Sequence, residues 1–290
     1  MKKIMVGSTI FMGIPILLSV LTYATTGTGH PLLAQSQNLD AIPSKNLIWS
    51  DEFDGEGAID SNKWFLQTKL PPGGEWWGGL IQHYTNRTDN TFLKDGHLHM
   101  VAKKEEFEDQ GRSKSYTSTR LNSKFAFKYG RIEIRAKLPK GKGTWPAIWM
   151  LNQNINEDGA YWETQGFGTT NWPYCGEIDI LEHWGKNQNF IQSGVHNGSS
   201  YGDNVVNIGG RQVEDVSGQF HIYAAEWSKD SIVFSIDGTE HYTYYPKTKD
   251  ANTWPYDQAY YLILNIAIEA GIEPDFEEST MEVDYIRIYQ

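Results

Sequence analysis

Between Gly176 and Gly185 the chain reads G-E-I-D-I-L-E-H-W-G, three carboxylates on an otherwise apolar run. Such a run is ordinarily a buried strand, where unpaired charge is costly, so Glu177, Asp179 and Glu182 call for a chemical reason. In a strand, side chains two apart share a face: Glu177 and Asp179 point one way, Ile178 and Ile180 the other. Glu182 falls out of step, and one extra residue, a β-bulge among Ile180 and Leu181, returns it to the face of the other two. At ~3.3 Å per residue the two glutamate α-carbons stand roughly 13 Å apart, and side chains leaning together close that to about 5 Å between carboxyls. That is the separation of a retaining glycosidase, in which one carboxylate attacks the anomeric carbon and the other, kept protonated, donates to the leaving oxygen. A middle aspartate suits the scheme, because a like charge raises a neighbouring carboxyl pKa and can share its proton. The bland alternative is an acidic edge strand facing solvent, since charges commonly protect exposed edges.

The elements that must hold this strand read as β throughout. His97 to Lys103 alternates Leu98, Met100 and Ala102 against polar positions, and Arg131 to Leu138 alternates Ile132, Ile134, Ala136 and Leu138 with charged residues. Ile232, Phe234 and Ile236 lead into Asp237-Gly238, a two-residue hairpin signal, and Thr239 to Tyr245 returns. No long helical periodicity, internal repeat or linker is visible, so residues 35–290 are expected to form a single all-β domain, a β-sandwich. Residues 1–34 stand apart: Lys2 and Lys3 precede an apolar run from Ile10 to Leu21, broken by Gly13 and Pro15, with small residues at Ala24 and Ala34. This predicts a secretory signal cleaved after Ala24 or Ala34, a secreted protein and no stable membrane insertion. A secreted chain with one thiol has no internal disulfide, and Cys175 is expected to be a small buried filler.

The pattern E-x-D-x-x-E, inside W-P-Y-C-G-E-I-D-I-L-E-H, resembles the active-site signature of glycoside hydrolase family sixteen in its bulged, laminarinase-like form. Matching segments run from S-D-E-F-D near residue 50 to the terminal M-E-V-D-Y-I-R-I-Y-Q. The resemblance implies a jelly-roll β-sandwich whose concave sheet forms the cleft, with Glu177 as nucleophile, Glu182 as acid/base and Asp179 as the helper between them. Position by position it also implies that Asn90, Arg120 and His196 meet the sugar. Trp145, Trp149 and Trp172 go to the cleft through W-P-A-I-W-M and W-P-x-C-G-E, and Trp184, in step with Glu182, goes near the acid. Two departures stand out: Asn197-Gly198 where relatives carry Thr-Pro after the histidine, and Leu80 where many carry Glu. The family's structural calcium would fall on Glu52, Gly96 and Asp284, and calcium favours such oxygen donors. The plain alternative for Asp284 is an ion pair, with Arg287 as candidate.

The partner is narrowed by charge and aromatic content. A net charge of -11 disfavours nucleic acid and anionic membrane, and favours a neutral glycan over a sulfated one. Eleven tryptophans and sixteen tyrosines exceed what the core needs, and sugar rings stack their C–H faces on aromatic planes. The expectation is a monomeric, endo-acting, retaining hydrolase of β-1,3 linkages in laminarin-type β-glucan, needing no cofactor for catalysis. Alternatives are a β-1,3-1,4-glucanase or another polysaccharide hydrolase of the family, a transglycosylase, or a non-catalytic glycan-binding jelly roll. Gly198-Ser199-Ser200-Tyr201-Gly202 fits G-x-S-x-G without the helix a hydrolase elbow needs, and His97-x-His99 lacks a visible third zinc ligand.

Overall fold

The computed structural model describes residues 46–290; the expected secretory leader, residues 1–34, lies outside the described residues. Two antiparallel-rich sheets carry nearly all of the regular structure. The ten-stranded sheet runs Thr239–Tyr244, Ile232–Ile236, His221–Trp227, Gly130–Lys137, Glu278–Tyr289, His97–Asp109, Arg112–Ser118 and His83–Tyr84. Leu47–Asp51 adds to Glu278–Tyr289, and Thr91–Lys94 to His97–Asp109. The seven-stranded sheet runs Ile208–Gln212, Phe190–His196, Glu177–His183, Thr144–Asn152, Tyr260–Ile268, Arg120–Phe127 and Trp64–Leu66. Runs of consecutive strands are joined by crossovers that set Gly130–Lys137 beside Glu278–Tyr289 and Thr144–Asn152 beside Tyr260–Ile268: the β-sandwich that the pattern of short strands predicts, with the jelly-roll form that the family resemblance implies.

Alternation decides which residues fill the space between the sheets. Leu98, Met100, Ala102, Ile132, Ile134 and Ala136 point inward from one sheet, and Ile178, Ile180, Ile191, Leu262, Leu264 and Ile266 from the other, all in one buried cluster. Tyr260–Ile268 departs from alternation: all nine residues are buried. One face meets the sandwich core, while Tyr261 and Ile263 pack into a second small cluster with Leu151, Ile155 and Cys175. Cys175 is therefore the buried filler expected, and its thiol is pushed above its ordinary value, first by burial and then by the charge of Glu177. A strand covered on both faces reads as a continuous apolar run, and the lone Asn265 within it is conspicuous for that reason.

Candidate active site

Glu177–His183 is the third strand of the seven-stranded sheet, paired on both sides, so the acidic-edge alternative does not apply. The bulge is present. Asp179 pairs with Trp149 and Leu181 with Ile148, leaving Ile180 as the extra residue, and the register against Phe190–His196 shifts between Asp179 and Glu182. Ile178, Ile180 and Leu181 all lie in the core, and the bulge that buries two consecutive apolar residues turns Glu182 back to the cleft. Just before the strand, Gly176 has φ +79°, and a Cβ there would stand 2.3 Å from the Tyr260 hydroxyl, so only glycine fits.

Glu177, Asp179 and Glu182 line one cleft of about 580 Å³, together with Trp76, Trp77, Trp145, Trp149, Trp172 and Arg120. Each glutamate receives an indole N–H: Trp172 Nε1 donates to Glu177 Oε2 at 2.9 Å, and Trp145 Nε1 to Glu182 Oε1 at 3.1 Å. Gln192 Nε2 donates to Glu182 Oε2 at 3.3 Å. His196 Nε2 lies 3.3 Å from Asp179 Oδ2 and 3.8 Å from Glu177 Oε1. Burial alone would lower the His196 pKa, but the hydrogen bond and charge of Asp179, with the charges of Glu177 and Glu182, raise it to about 10. His196 is thus a cation at neutral pH.

Burial raises the Glu182 carboxyl to about 7, with the charge of Glu177 adding to it against the charge of His196 and the donors Trp145 and Gln192. Glu177 and Asp179, with oxygens within 4.8 Å of each other, are also pushed upward, by burial first. Their proton belongs to the pair rather than to either residue.

The remaining expected contacts divide. Arg120, Trp145, Trp149 and Trp172 line the cleft. Arg120 is buried against Glu157 at 2.7 Å, donates from Nε to Gln67 Oε1 at 2.9 Å, and lies 4.9 Å from the Trp149 ring centre. Trp184 is not part of the cleft lining; its ring centre lies 5.3 Å from that of Trp145, so it packs on the side chain that donates to Glu182. Asn197, in place of threonine, is fully buried and donates to the Tyr244 and Tyr256 hydroxyls, while Tyr256 donates to the His196 carbonyl. The departure at this position therefore anchors the turn behind His196. Leu80 lines the cleft and packs on Leu70, Trp76 and Tyr84, giving an apolar contact where relatives carry an acid.

Asn90 is a correction. It is fully buried outside the cleft lining, its Oδ1 accepting from Thr85 and Arg87 and its Nδ2 donating to the Val101 carbonyl and Thr117. A side chain with every hydrogen-bonding position taken has nothing to offer a sugar. At the calcium positions the two carboxylates are engaged by arginines. Strand pairing brings Glu52, Gly96 and Asp284 to one end of the ten-stranded sheet, but Arg287 holds both Glu52 oxygens at 2.8 and 3.2 Å, and Arg135 holds Asp284. The partner of Asp284 is Arg135 rather than Arg287. A calcium ion here would draw on backbone oxygens and the Asp284 carboxylate, in competition with Arg135. At His97-x-His99, Glu282 does come within 4.8 Å as a third donor, but it is ion-paired with Lys137 at 2.7 Å.

Several cleft residues carry no assignment from the sequence. Asn265 accepts from Trp149 Nε1 at 2.7 Å, and Gln192 meets the acid as described. Asn265 had the same signal as the acids, a lone polar residue in an apolar strand; Glu157, in an ordinary loop, had none.

The model of glycosyl hydrolases family 16 matches residues 82–287. The chain belongs to this family. It is a glycoside hydrolase, and the bulged triad sits on the strand where the family signature falls. A β-glucanase of Rhodothermus marinus is 35% identical over 278 residues, covering 88% of each chain. Glucan endo-1,3-β-glucosidase A1 of Niallia circulans is 33% identical across 86% of this chain, which spans only 38% of that longer protein. A crystal structure of LamA from Z. galactanivorans, in complex with laminaritriose and laminaritetraose, superposes with a TM-score of 0.77 at 42% identity, covering 84% of this chain and 98% of that one. Among the described residues no helix is long and apolar enough to cross a membrane.

Proposed function

We propose that this hydrolase cuts β-1,3 linkages inside laminarin-type β-glucans with retention of configuration, acting outside the cytoplasm after loss of its leader. The observation that carries the mechanism is the uneven placement of the His196 cation. His196 stands beside Asp179 and Glu177, whereas the donors to Glu182 are the neutral Trp145 and Gln192. A cation favours ionised neighbours, so His196 favours one charge on the Glu177–Asp179 pair, and burial together with that charge raises Glu182 toward its protonated form. Glu177 then attacks the anomeric carbon as Glu182 gives its proton to the glycosidic oxygen and the bond between them breaks. Water, losing a proton to Glu182, cleaves the resulting ester and releases the sugar with its β configuration restored.

The substrate class rests on the cleft and on similarity. Trp77 and Trp172 expose 54% and 42% of their surface, enough for sugar faces to stack on. The LamA complex with two β-1,3-linked oligosaccharides supports the linkage. A panel of laminarin, mixed-linkage β-glucan and agar-type galactan, with product sizing, tests it: laminarin should give internal cleavage to a ladder of oligosaccharides. Preference for mixed-linkage glucan would overturn the linkage alone. For the mechanism, Glu182→Ala should lose activity on polysaccharide yet accept a substrate with a very acidic leaving group, and added azide should give a β-glycosyl azide. An α-azide would refute retention, and near-normal activity of Glu177→Gln would remove the nucleophile.

A further inference from the structure

The bulge that turns Glu182 into the cleft has a side-chain brace behind it. Asp179 pairs with Gly194 and Glu182 with Gln192, so Ser193 is the single residue facing the two bulged positions, Ile180 and Leu181. A bulge leaves a backbone group without its ladder partner, and here Ser193 Oγ donates to the Ile180 carbonyl at 2.7 Å. That hydroxyl has spent its one hydrogen, so it can only accept from His241 Nε2, 2.9 Å away on the Thr239–Tyr244 strand of the other sheet. The donor order runs from His241 Nε2–H through the Ser193 hydroxyl to the Ile180 carbonyl. His241 Nδ1 is buried without a hydrogen-bond partner, which disfavours a proton there and leaves the proton of the neutral ring on Nε2. Burial, with the charge of Arg211, lowers the His241 pKa to about 4, so the ring stays neutral across the working pH range.

We propose that Ser193 and His241 are positioning residues that brace the Ile180 bulge from behind and thereby set the aim of the acid/base Glu182. Neither lines the cleft. The brace lies two residues before Glu182 and one residue from Gln192, so a relaxed bulge moves Glu182 relative to Trp145 and Gln192. Glu177 and Asp179 precede the bulge and keep their pairing to Leu151 and Trp149. The inference rests on the assignment of Glu182 as acid/base, and it locates the burden on the step that needs the acid.

The test compares Ser193→Ala, His241→Leu and His241→Gln with the natural enzyme, after far-UV circular dichroism has established folding. On laminarin, Ser193→Ala and His241→Leu should lower kcat about tenfold to a hundredfold with KM held within about twofold. An aryl glycoside with a very acidic leaving group needs no proton from Glu182, and its glycosylation rate should fall less than about threefold. His241→Gln, whose amide N–H can stand where Nε2–H stood, should restore most of the lost kcat. The basic limb of the pH–rate profile should move downward in the two disruptive variants as Glu182 leaves its buried setting. Parallel losses on both substrates, or an unmoved pH limb, would mark a merely structural role and overturn the proposal. If the natural enzyme hydrolyses with retention while the variants are unaffected, the brace alone falls; if the natural enzyme inverts, the reading beneath it falls first.

Discussion

Glu182→Gln should stabilise the fold at alkaline pH while removing its catalysis. In the folded protein the Glu182 carboxyl titrates at about 7, against 4.5 when unburied. Between those values the folded state holds a proton that the unfolded state has released, so stability falls as pH rises from 4.5 through 7 and stays low above it. At ~1.4 kcal/mol per pH unit the cost at pH 8 is at most about 3.5 kcal/mol, and partial solvent contact reduces it to about 1–2 kcal/mol. Glutamine removes the charge, keeps an oxygen for Trp145 and lets the Gln192 amide turn to accept. For a chain of this size that gain is worth roughly 3–6 °C in Tm. Calorimetry of both proteins at pH 8 and pH 4 is the assay: the variant should melt higher at pH 8 and at the same temperature at pH 4, where the glutamate is itself neutral. A difference of the same size at both pH values, or a variant less stable at pH 8, would refute the claim that burial of a charge at Glu182 is the cost.

Two further outcomes follow from the ion pairs. Glu157→Ala strands the buried Arg120 cation, whose partners are Glu157 at 2.7 Å and the neutral Gln67, and should cost about 3–5 kcal/mol by urea unfolding; a loss under about 1 kcal/mol would mean that water reaches the pair. Because Arg287 and Arg135 hold Glu52 and Asp284, EDTA should leave Tm within about 1 °C. A drop of several degrees that calcium restores, and that Asp284→Asn abolishes, would return calcium to that end of the sheet.

The triad was legible because three charges in an apolar strand violate an expectation, and the parity of Glu182 predicted the bulge that the register shift displays. Asn265 broke the same expectation and went unread because it offers no chemistry by itself; its role appears only once Trp149 donates to it across two strands. Asn90 was misplaced for the converse reason. Its partners, at 85, 87, 101 and 117, meet only when three strands and a turn are assembled, and no local pattern announces that its amide is already saturated. The arginines on Glu52 and Asp284 likewise arrive through cross-strand pairing, from Glu278–Tyr289 and Gly130–Lys137, which sequence spacing does not encode. Trp184 shared the parity of Glu182 correctly, but the strand ends at His183, and Trp184 packs on Trp145, which donates to the acid.

The cost that burial imposes on these acids is also what lets one of them change role during a turnover. Before attack, the charge on Glu177 is among the causes that keep Glu182 protonated, second only to burial. Formation of the glycosyl ester converts Glu177 into a neutral group, while the cation on His196 remains 3.3 Å from Asp179. The field at Glu182 therefore becomes less negative just as its proton has left for the leaving oxygen, and its pKa falls. A lower pKa keeps the new carboxylate ionised until water arrives to give it a proton. Hydrolysis of the ester restores the charge on Glu177, which raises the pKa of Glu182 again and favours its keeping that proton. His196, 3.3 Å from Asp179 and 3.8 Å from Glu177, biases the cycle: without a cation beside the 177–179 pair, a larger fraction of the enzyme would hold the proton on the nucleophile.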